Sequence, residues 1–204
     1  MENVELYIYS KAAHWSGGDF ISQEDLEGYI KHCSLDFYAI PSSINDDERD
    51  KIFDGEADGT LLGNITGQLI LGSQAAKTGV DIYDVCDAKS GDLEAVASAL
   101  NLDNTSRASH RDIFYIESVA LENGCDTDIV RDAILKQLPC SLLSHYSIFP
   151  DILTYCMMSF PRKSEEAEKY STEEWFVLSA GFKKRGNSGV LTKKVKMKLT
   201  ENDS

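Results

Sequence analysis

The sequence predicts one α/β domain over residues 1–204, built on a mixed central β-sheet flanked by helices, or such a domain with an N-terminal extension. Residues 113–121 are aromatic and β-branched, as is typical of a strand buried on at least one face. After a tight loop, the apolar residues of 129–138 recur at helical spacing. A second apolar run at 152–158 completes a strand–helix–strand order that indicates two parallel strands.

The N-terminal part predicts a strand, a helix and a loop. Residues 6–9 are predicted as the first strand, and residues 23–33 as a helix with Leu26, Tyr29 and Ile30 on one side. The stretch from residue 42 to residue 59 is polar and acidic. It predicts an insertion or a mobile loop.

The C-terminal part predicts three further elements. Pro139 is expected to end or kink the helix that precedes it, and residues 145–150 are expected to connect that helix to the next strand. Residues 175–182 predict a short helix that stops at a glycine. Residues 190–199 alternate lysines with apolar residues and predict a last strand, followed by a disordered tail at 200–204.

This arrangement resembles the GNAT superfamily of acyl-CoA-dependent N-acetyltransferases. The resemblance rests on residues 115–121, which end in an apolar-Val-x-x pattern, on residues 129–139, and on residues 177–182, where a helix ends in Gly-Phe. Residues 63–71 resemble the family's second strand, and residues 81–100 resemble a helical insertion found in some members. The resemblance implies a GNAT-like fold and transfer of an acetyl group to an acceptor amine.

The same resemblance, which covers about residues 60–199, implies a binding site for acetyl-CoA. Strand backbone after residue 117 would pair with the pantetheine amides, and the following loop and helix start would face the pyrophosphate. The residues implied in cofactor binding are Ser118, Val119, Ala120, Leu121, Gly124, Thr127, Ile129 and Arg131.

The predicted phosphate loop departs from the family pattern Arg/Gln-x-x-Gly-x-Gly/Ala, in which glycines leave backbone N–H groups open to phosphate. Gly124 is the only glycine between residues 123 and 139, so the loop cannot form Gly-x-Gly. Asp126 and Asp128 would each stabilise a helix N-terminus by about 0.3–1 kcal/mol. They would also repel a diphosphate, which Arg131 only partly offsets, and this predicts impaired acetyl-CoA binding.

Two residues are candidates for acid–base chemistry. In many GNAT enzymes a tyrosine four residues before the glycine of Gly-Phe protonates the departing thiolate, but Val177 has that position here. Tyr170, about two turns upstream, is the alternative acid. Glu117 is the candidate general base for an amine, directly or through a water. Since strand neighbours point to opposite faces, Glu117 is otherwise a surface or edge carboxylate.

The charge of the chain is negative overall but unevenly distributed. A net charge of −14 and a pI of about 4.6 argue against nucleic acid as a partner, because phosphate binding is driven by Lys and Arg. The C-terminal stretch is nevertheless basic, with no acid from residue 183 to residue 198. This pattern predicts an edge strand protected by lysines, or a surface for an acidic patch of a second copy or for an anionic ligand.

The cysteine, histidine and hydropathy patterns argue against a disulfide-bonded, a metal-binding and a membrane protein. Five cysteines, odd in number and widely spaced, predict reduced structural thiols rather than disulfides or zinc ligands. The four histidines lack ligand spacing, so no metal is expected. The chain has no apolar run of roughly 20 residues and no signal-peptide pattern, so a cytoplasmic protein without membrane contact is expected.

Two function classes therefore stay open. The first is an acyl-CoA-dependent N-acetyltransferase acting on an amine-bearing small molecule or protein. The second is a catalytically inactive GNAT-fold module for binding or regulation, which uses its acidic surface to bind a basic protein partner or forms a homodimer. A third possibility is an unrelated α/β protein in which the Gly-Phe element arises by chance.

Overall fold

The computed structural model of the protein describes residues 7–15, 26–40, 44–54, 59–102, 107–125, 127–156 and 181–196. These residues form a mixed α/β structure around one seven-stranded sheet that is mostly antiparallel. The α/β class with a mixed sheet and flanking helices is therefore confirmed. The predictions for Tyr170, for residues 175–180 and for the tail at 200–204 lie outside the described residues.

The seven strands are β1 (Tyr7–Trp15), β2 (Ile30–Ile40), β3 (Thr60–Leu71), β4 (Asp112–Leu121), β5 (Ile152–Cys156), β6 (Lys183–Lys184) and β7 (Val190–Lys194). Their order across the sheet is β1-β2-β3-β4-β5-β7-β6. Every neighbouring pair is antiparallel except β4 and β5, which are parallel. The predicted parallel pair is thus confirmed.

Five α-helices lie in the described part of the chain. They are α1 (Asp46–Phe53), α2 (Gly72–Thr78), α3 (Ile82–Lys89), α4 (Gly91–Leu100) and α5 (Asp128–Tyr146). Helix α5 crosses from β4 to β5, as a parallel connection requires. Helices α3 and α4 confirm the helical prediction for residues 81–100.

The sheet buries apolar side chains on both of its faces. One face packs on α5, through residues such as Leu35, Leu69 and Phe114 against Leu138 and Leu142. The opposite face packs on α2, α3 and α4, through a smaller set of strand residues at one end of the strands: Ile30, Ile70, Ile113, Tyr115, Ile152 and Val190. Because these helices cover only that end, the polar part of the second face lies beyond them.

The predicted helix at residues 23–33 is wrong. A single 3₁₀ turn at Leu26–Tyr29 leads directly into β2. Leu26, Tyr29 and Ile30 fit a helical spacing, but from residue 33 onward the buried side chains alternate, at Cys33, Leu35 and beyond. Pairing with β3 begins at Ile30 and pairing with β1 at Cys33, and these ladders outweigh the short local pattern.

The acidic stretch from residue 42 to residue 59 is not a simple loop, since it contains α1. The side chain of Asn45 caps the helix by accepting a hydrogen bond from the backbone N–H of Glu48 at 2.9 Å. Three acids in the first turn complement the positive end of the helix dipole. Charge and capping therefore stabilise this helix, which has almost no apolar face. Ile52 is its buried apolar residue among the described side chains.

Pro139 does not end the long helix, because α5 continues to Tyr146 and leaves only residues 147–151 as a connector. A proline inside a helix costs about 3 kcal/mol or more. Buried side chains lie on both sides of it, from Ile134 and Leu138 to Leu142. We attribute the continuity of the helix to this packing.

Residues 63–71 lie in β3, which is the third strand in chain order because β2 begins within the segment expected to be helical. Two predicted strand boundaries need correction. The first strand, β1, extends to Trp15. The last strand ends at Lys194 rather than at residue 199, where its pairing with β5 ends at Ile152.

All five cysteines are free thiols, which agrees with the prediction. Burial raises the pKa of the Cys86 thiol from about 9 to about 12. None of the described helices has the length and apolar character to cross a bilayer.

The buried Cys86 thiol predicts a loss of stability in alkali. Above about pH 9 the unfolded chain releases this proton while the folded chain retains it up to about pH 12, so the free energy of unfolding falls as pH rises. The slope is up to about 1.4 kcal/mol per pH unit for one thiol. Urea unfolding of the wild type and of Cys86→Ala across this range measures it. Equal slopes for the two proteins would contradict the assignment.

Candidate functional site

Polar side chains cover the part of the second sheet face that α2, α3 and α4 leave uncovered. We call this surface the polar floor. It consists of His32, Ser34, Asp36, Asn64, Thr66, Gln68, Glu117 and Ser118. It forms because polar residues alternate with core residues along β2 and β3, so the apolar side chains face α5 and the polar ones face away.

Hydrogen bonds across the strands fix the polar floor. The Asn64 side-chain amide donates to Asp36 Oδ1 at 2.6 Å and to Ser34 Oγ at 3.1 Å. The hydroxyls of Thr66 and Ser118 lie 2.7 Å apart. These pairs join neighbouring strands on one face, so the floor is an ordered surface rather than a set of separate side chains.

A β-bulge in β4 brings Glu117 onto this floor. Thr66 pairs with Ser118 while Gly67 pairs with Ile116, so Glu117 is an additional residue without its own partner on β3. Glu117 and Ser118 both bond to floor residues of β3, although they are consecutive in the chain. Val119 returns to the core on the α5 face. The orientation of Glu117 that the sequence left open is thus toward the second face.

Two side chains hold the Glu117 carboxylate. The Gln68 side-chain amide donates a short hydrogen bond to Oε1, and His32 Nδ1 lies 3.3 Å from Oε2. The Glu117 side chain is 29% exposed, so it is both oriented and accessible to a ligand. Of the two residues that the sequence predicts for acid–base chemistry, Glu117 is the one that the described structure places among polar partners.

The described pairing between β4 and β5 ends before Glu117. Their parallel pairing runs from Ile113 with Ile152 to Ile116 with Tyr155, whereas β4 continues to Leu121. The residues predicted to bind pantetheine, Ser118 to Leu121, lie in this continuation. Their partner strand on one side is β3, and the described part of β5 does not pair with the other side.

Tyr115 and Asp92 adjoin the floor at the covered end. The Tyr115 hydroxyl donates to Asp92 Oδ2 at 3.3 Å. Burial raises the pKa of this phenol, and the nearby Asp92, Cys156 and Glu117 raise it further. Burial, followed by Asp92, also raises the pKa of the Cys156 thiol. Both groups therefore stay protonated at neutral pH.

The start of α5 has a cap supplied by the chain itself. The Thr127 hydroxyl accepts a hydrogen bond from the Val130 backbone N–H at 3.3 Å. Asp128, whose side chain is 76% exposed, lies 3.3 Å from the Arg131 guanidinium. Arg131 is buried, and burial lowers its pKa. Asp126, the other acid of the predicted phosphate loop, is not among the described residues.

The remaining residues predicted to bind a cofactor do not converge. Ala120 is exposed, whereas Leu121 packs against the core beneath α5. Gly124 has a φ of +84° in the turn after β4, a conformation that favours glycine. Ile129 projects from the first turn of α5 and is 74% exposed. The structure places Glu117 and Ser118 together on the polar floor, but it does not bring the residues predicted to bind the cofactor together in one site.

His32, Gln68, Tyr115 and Asp92 are site residues that sequence reasoning missed. The signal that could have found His32 and Gln68 was the alternation of polar residues along β2 and β3, which marks a polar sheet face. Tyr115 lies on β4 and Asp92 on α4, where no such pattern marks them. In the described part of the chain, no cluster of three or more His, Cys, Asp or Glu side chains is arranged to hold a metal ion.

Comparison of the chain with protein-family models, with curated proteins and with solved structures finds no match.

Proposed function

We propose that this chain has the GNAT fold and transfers an acyl group from an acyl-coenzyme A to an amine. The fold part of the proposal is supported by the strand–loop–helix–strand unit of β4, α5 and β5, which lies within a mixed sheet. Residues 115–121 and 129–139, which carry the resemblance to that superfamily, form β4 and much of α5.

The observation that carries the proposal is the position of Glu117. Its carboxylate lies on a β-bulge just beyond the last described pair of β4 with β5, and Gln68 and His32 orient it on an accessible surface. An ammonium group must lose a proton before its nitrogen can attack an acyl carbon. Glu117 accepts that proton in the proposed reaction. The thioester C–S bond then breaks as the N–C bond forms, and the coenzyme A thiolate leaves and takes up the second proton that the nitrogen loses on becoming an amide.

The acceptor is proposed to be positively charged before it reacts. Asp36 and Glu117 are two carboxylates on the polar floor, and Asp92 adjoins it. Such a surface attracts an ammonium group by electrostatics. An amine-bearing small molecule and an exposed lysine of a protein both satisfy this chemistry.

The residues that would bind the acyl-coenzyme A donor suit its pantetheine arm but not its diphosphate. Between Ser118 and Leu121, β4 offers backbone groups beyond its last described pair with β5, which suits the amides of a pantetheine arm. The first turn of α5 does not suit a diphosphate, because Thr127 already accepts from the Val130 N–H and Asp128 adds a negative charge. We therefore assign no residue of this turn to phosphate.

A second candidate function is a GNAT-fold binding or regulatory module without acyl transfer. The capped and acidic start of α5 favours it, since the same residues that stabilise the helix oppose a diphosphate. In this case the acidic surface of the chain would bind a basic protein partner.

Thermal unfolding with and without millimolar acetyl-CoA separates the two functions. A ligand at a hundred times its Kd adds about 2.7 kcal/mol to stability. We expect stabilisation that increases in Asp128→Asn and does not change in the matched variant Asp84→Asn, which makes the same change at an exposed acid in the first turn of α3. Since each protein serves as its own reference, any intrinsic effect of the substitution cancels. No stabilisation in any of the three proteins, together with no amide product, would favour the binding module.

A further inference from the structure

A basic groove lies at the edge of the sheet formed by β6 and β7. Its volume is about 660 Å³, and one glycine and one threonine line it together with five cations. The five cations are Lys183, Lys184, Arg185, Lys193 and Lys194. None of the lining residues that the structure describes is acidic. A concave surface lined by one sign of charge concentrates the electrostatic field within it.

The charge of this groove contrasts with that of the rest of the chain. Residues 183–198 contain seven of the 20 Lys and Arg residues and none of the 34 Asp and Glu residues. The rest of the chain therefore has 13 basic residues against 34 acids, a net charge of −21. A general excess of lysine cannot account for a basic groove on such a protein.

Protection of an exposed sheet edge explains only part of this pattern. The edge strand is β6, which has two residues, and lysines there can block edge-to-edge pairing. Lys193 and Lys194 belong to β7 and pair with Leu153 and Ile152 of β5, whereas the pairing of β7 with β6 involves Leu191 and Thr192. Edge protection accounts for exposed lysines but not for a half-buried one such as Lys193.

Lys193 is drawn into the structure rather than extended into solvent. Its Nζ lies 6.0 Å from the centre of the Phe182 ring, within reach of a cation–π interaction. Burial lowers the pKa of Lys193, Asp132 on α5 raises it, and Lys136 lowers it. A bound anion would offset the cost of burying this ammonium, and the four other cations of the groove would also attract it.

We propose that the groove binds a small, multiply charged anion, with a di- or triphosphate group as the chemical class. Arg185 offers a planar fork of donors that matches phosphate oxygens, while the lysines act as point charges around it. The phosphate chain is common to inorganic polyphosphate and to nucleotides. This site lies on strands other than those that carry Glu117, so it does not depend on the proposed acyl transfer.

Calorimetric titration with inorganic tripolyphosphate, and separately with ATP, tests the proposal at fixed ionic strength. The variant Lys184→Ala/Arg185→Ala removes two exposed cations of the groove, and we expect its Kd to be at least about tenfold weaker. The matched control Lys51→Ala/Lys77→Ala removes two exposed cations elsewhere and should leave the Kd unchanged. Equal affinity for both ligands indicates that the phosphate chain alone is bound, whereas tighter ATP binding indicates a nucleotide.

Two outcomes would overturn the inference. One is equal weakening in both double variants, which would show that overall charge rather than the groove sets the affinity. The other is that neither anion binds. If the protein then forms a salt-sensitive dimer that Lys184→Ala/Arg185→Ala abolishes, the groove would be assigned to binding an acidic surface of a second copy. Sedimentation of each protein at low and high salt detects that dimer.

Discussion

Glu117→Gln is expected to lower the rate of acyl transfer to an amine by about 10²–10⁴-fold, the usual contribution of a positioned general base. The amide has the shape of the carboxylate and can still accept the hydrogen bond from Gln68. It cannot take a proton from the ammonium. The loss should therefore appear in kcat, with thermal stability close to that of the wild type.

Release of the coenzyme A thiol, followed over a range of amine concentrations and pH, measures this effect. The matched control is Glu94→Gln, the same chemical change at an exposed position of α4. The pH dependence of the rate gives a second readout. The part of the pH profile that reports ionisation of the base should be absent in Glu117→Gln. A variant that keeps the rate and the pH profile of the wild type would remove Glu117 from the mechanism.

Gly67→Ala is expected to reduce the free energy of unfolding by about 3 kcal/mol, at the upper end of the usual range for overpacking. A Cβ at this position would lie 2.2 Å from the Tyr115 carbonyl oxygen and 2.7 Å from Phe114 Cζ. Both neighbours belong to β4, beside the bulge, and the carbonyl cannot move without disturbing the ladder between β3 and β4. Denaturant unfolding measures the loss.

Gly91→Ala is the control for this substitution. Gly91 is the first residue of α4, and a Cβ there would meet no atom within 4 Å. The same glycine-to-alanine change should therefore stabilise the protein, by about 0.4–1 kcal/mol, because it restricts the unfolded chain. Opposite signs for the two variants are the expected result. A Gly67→Ala protein as stable as the wild type would mean that the strands are further apart at the bulge.

The central part of the fold could be predicted because its signals are local. Residues 113–121 are dense in β-formers, and the helix that follows has a capping residue and apolar repeats within one continuous segment. The failure at residues 23–33 has a different origin. Leu26, Tyr29 and Ile30 satisfy a helical spacing over little more than one turn, and strand pairing with residues far along the chain decides the outcome.

The sequence could predict the candidate site only where the type of a single residue indicates a chemical role. Glu117 was found because a carboxylate on a strand is a candidate base in any context. Gln68 and His32, which orient it, are 49 and 85 residues away in the chain. Their proximity follows from strand register and from the bulge, neither of which composition or periodicity specifies.

The bulge has a consequence for the inheritance of the carboxylate. Before it, even-numbered positions such as Phe114 and Ile116 face α5, and after it odd-numbered Val119 and Leu121 do so. Loss of codon 117 would restore unbroken parity and leave all four in the core. The carboxylate thus belongs to a residue that the strand does not need, so a single-codon deletion during evolution could remove it and keep the fold.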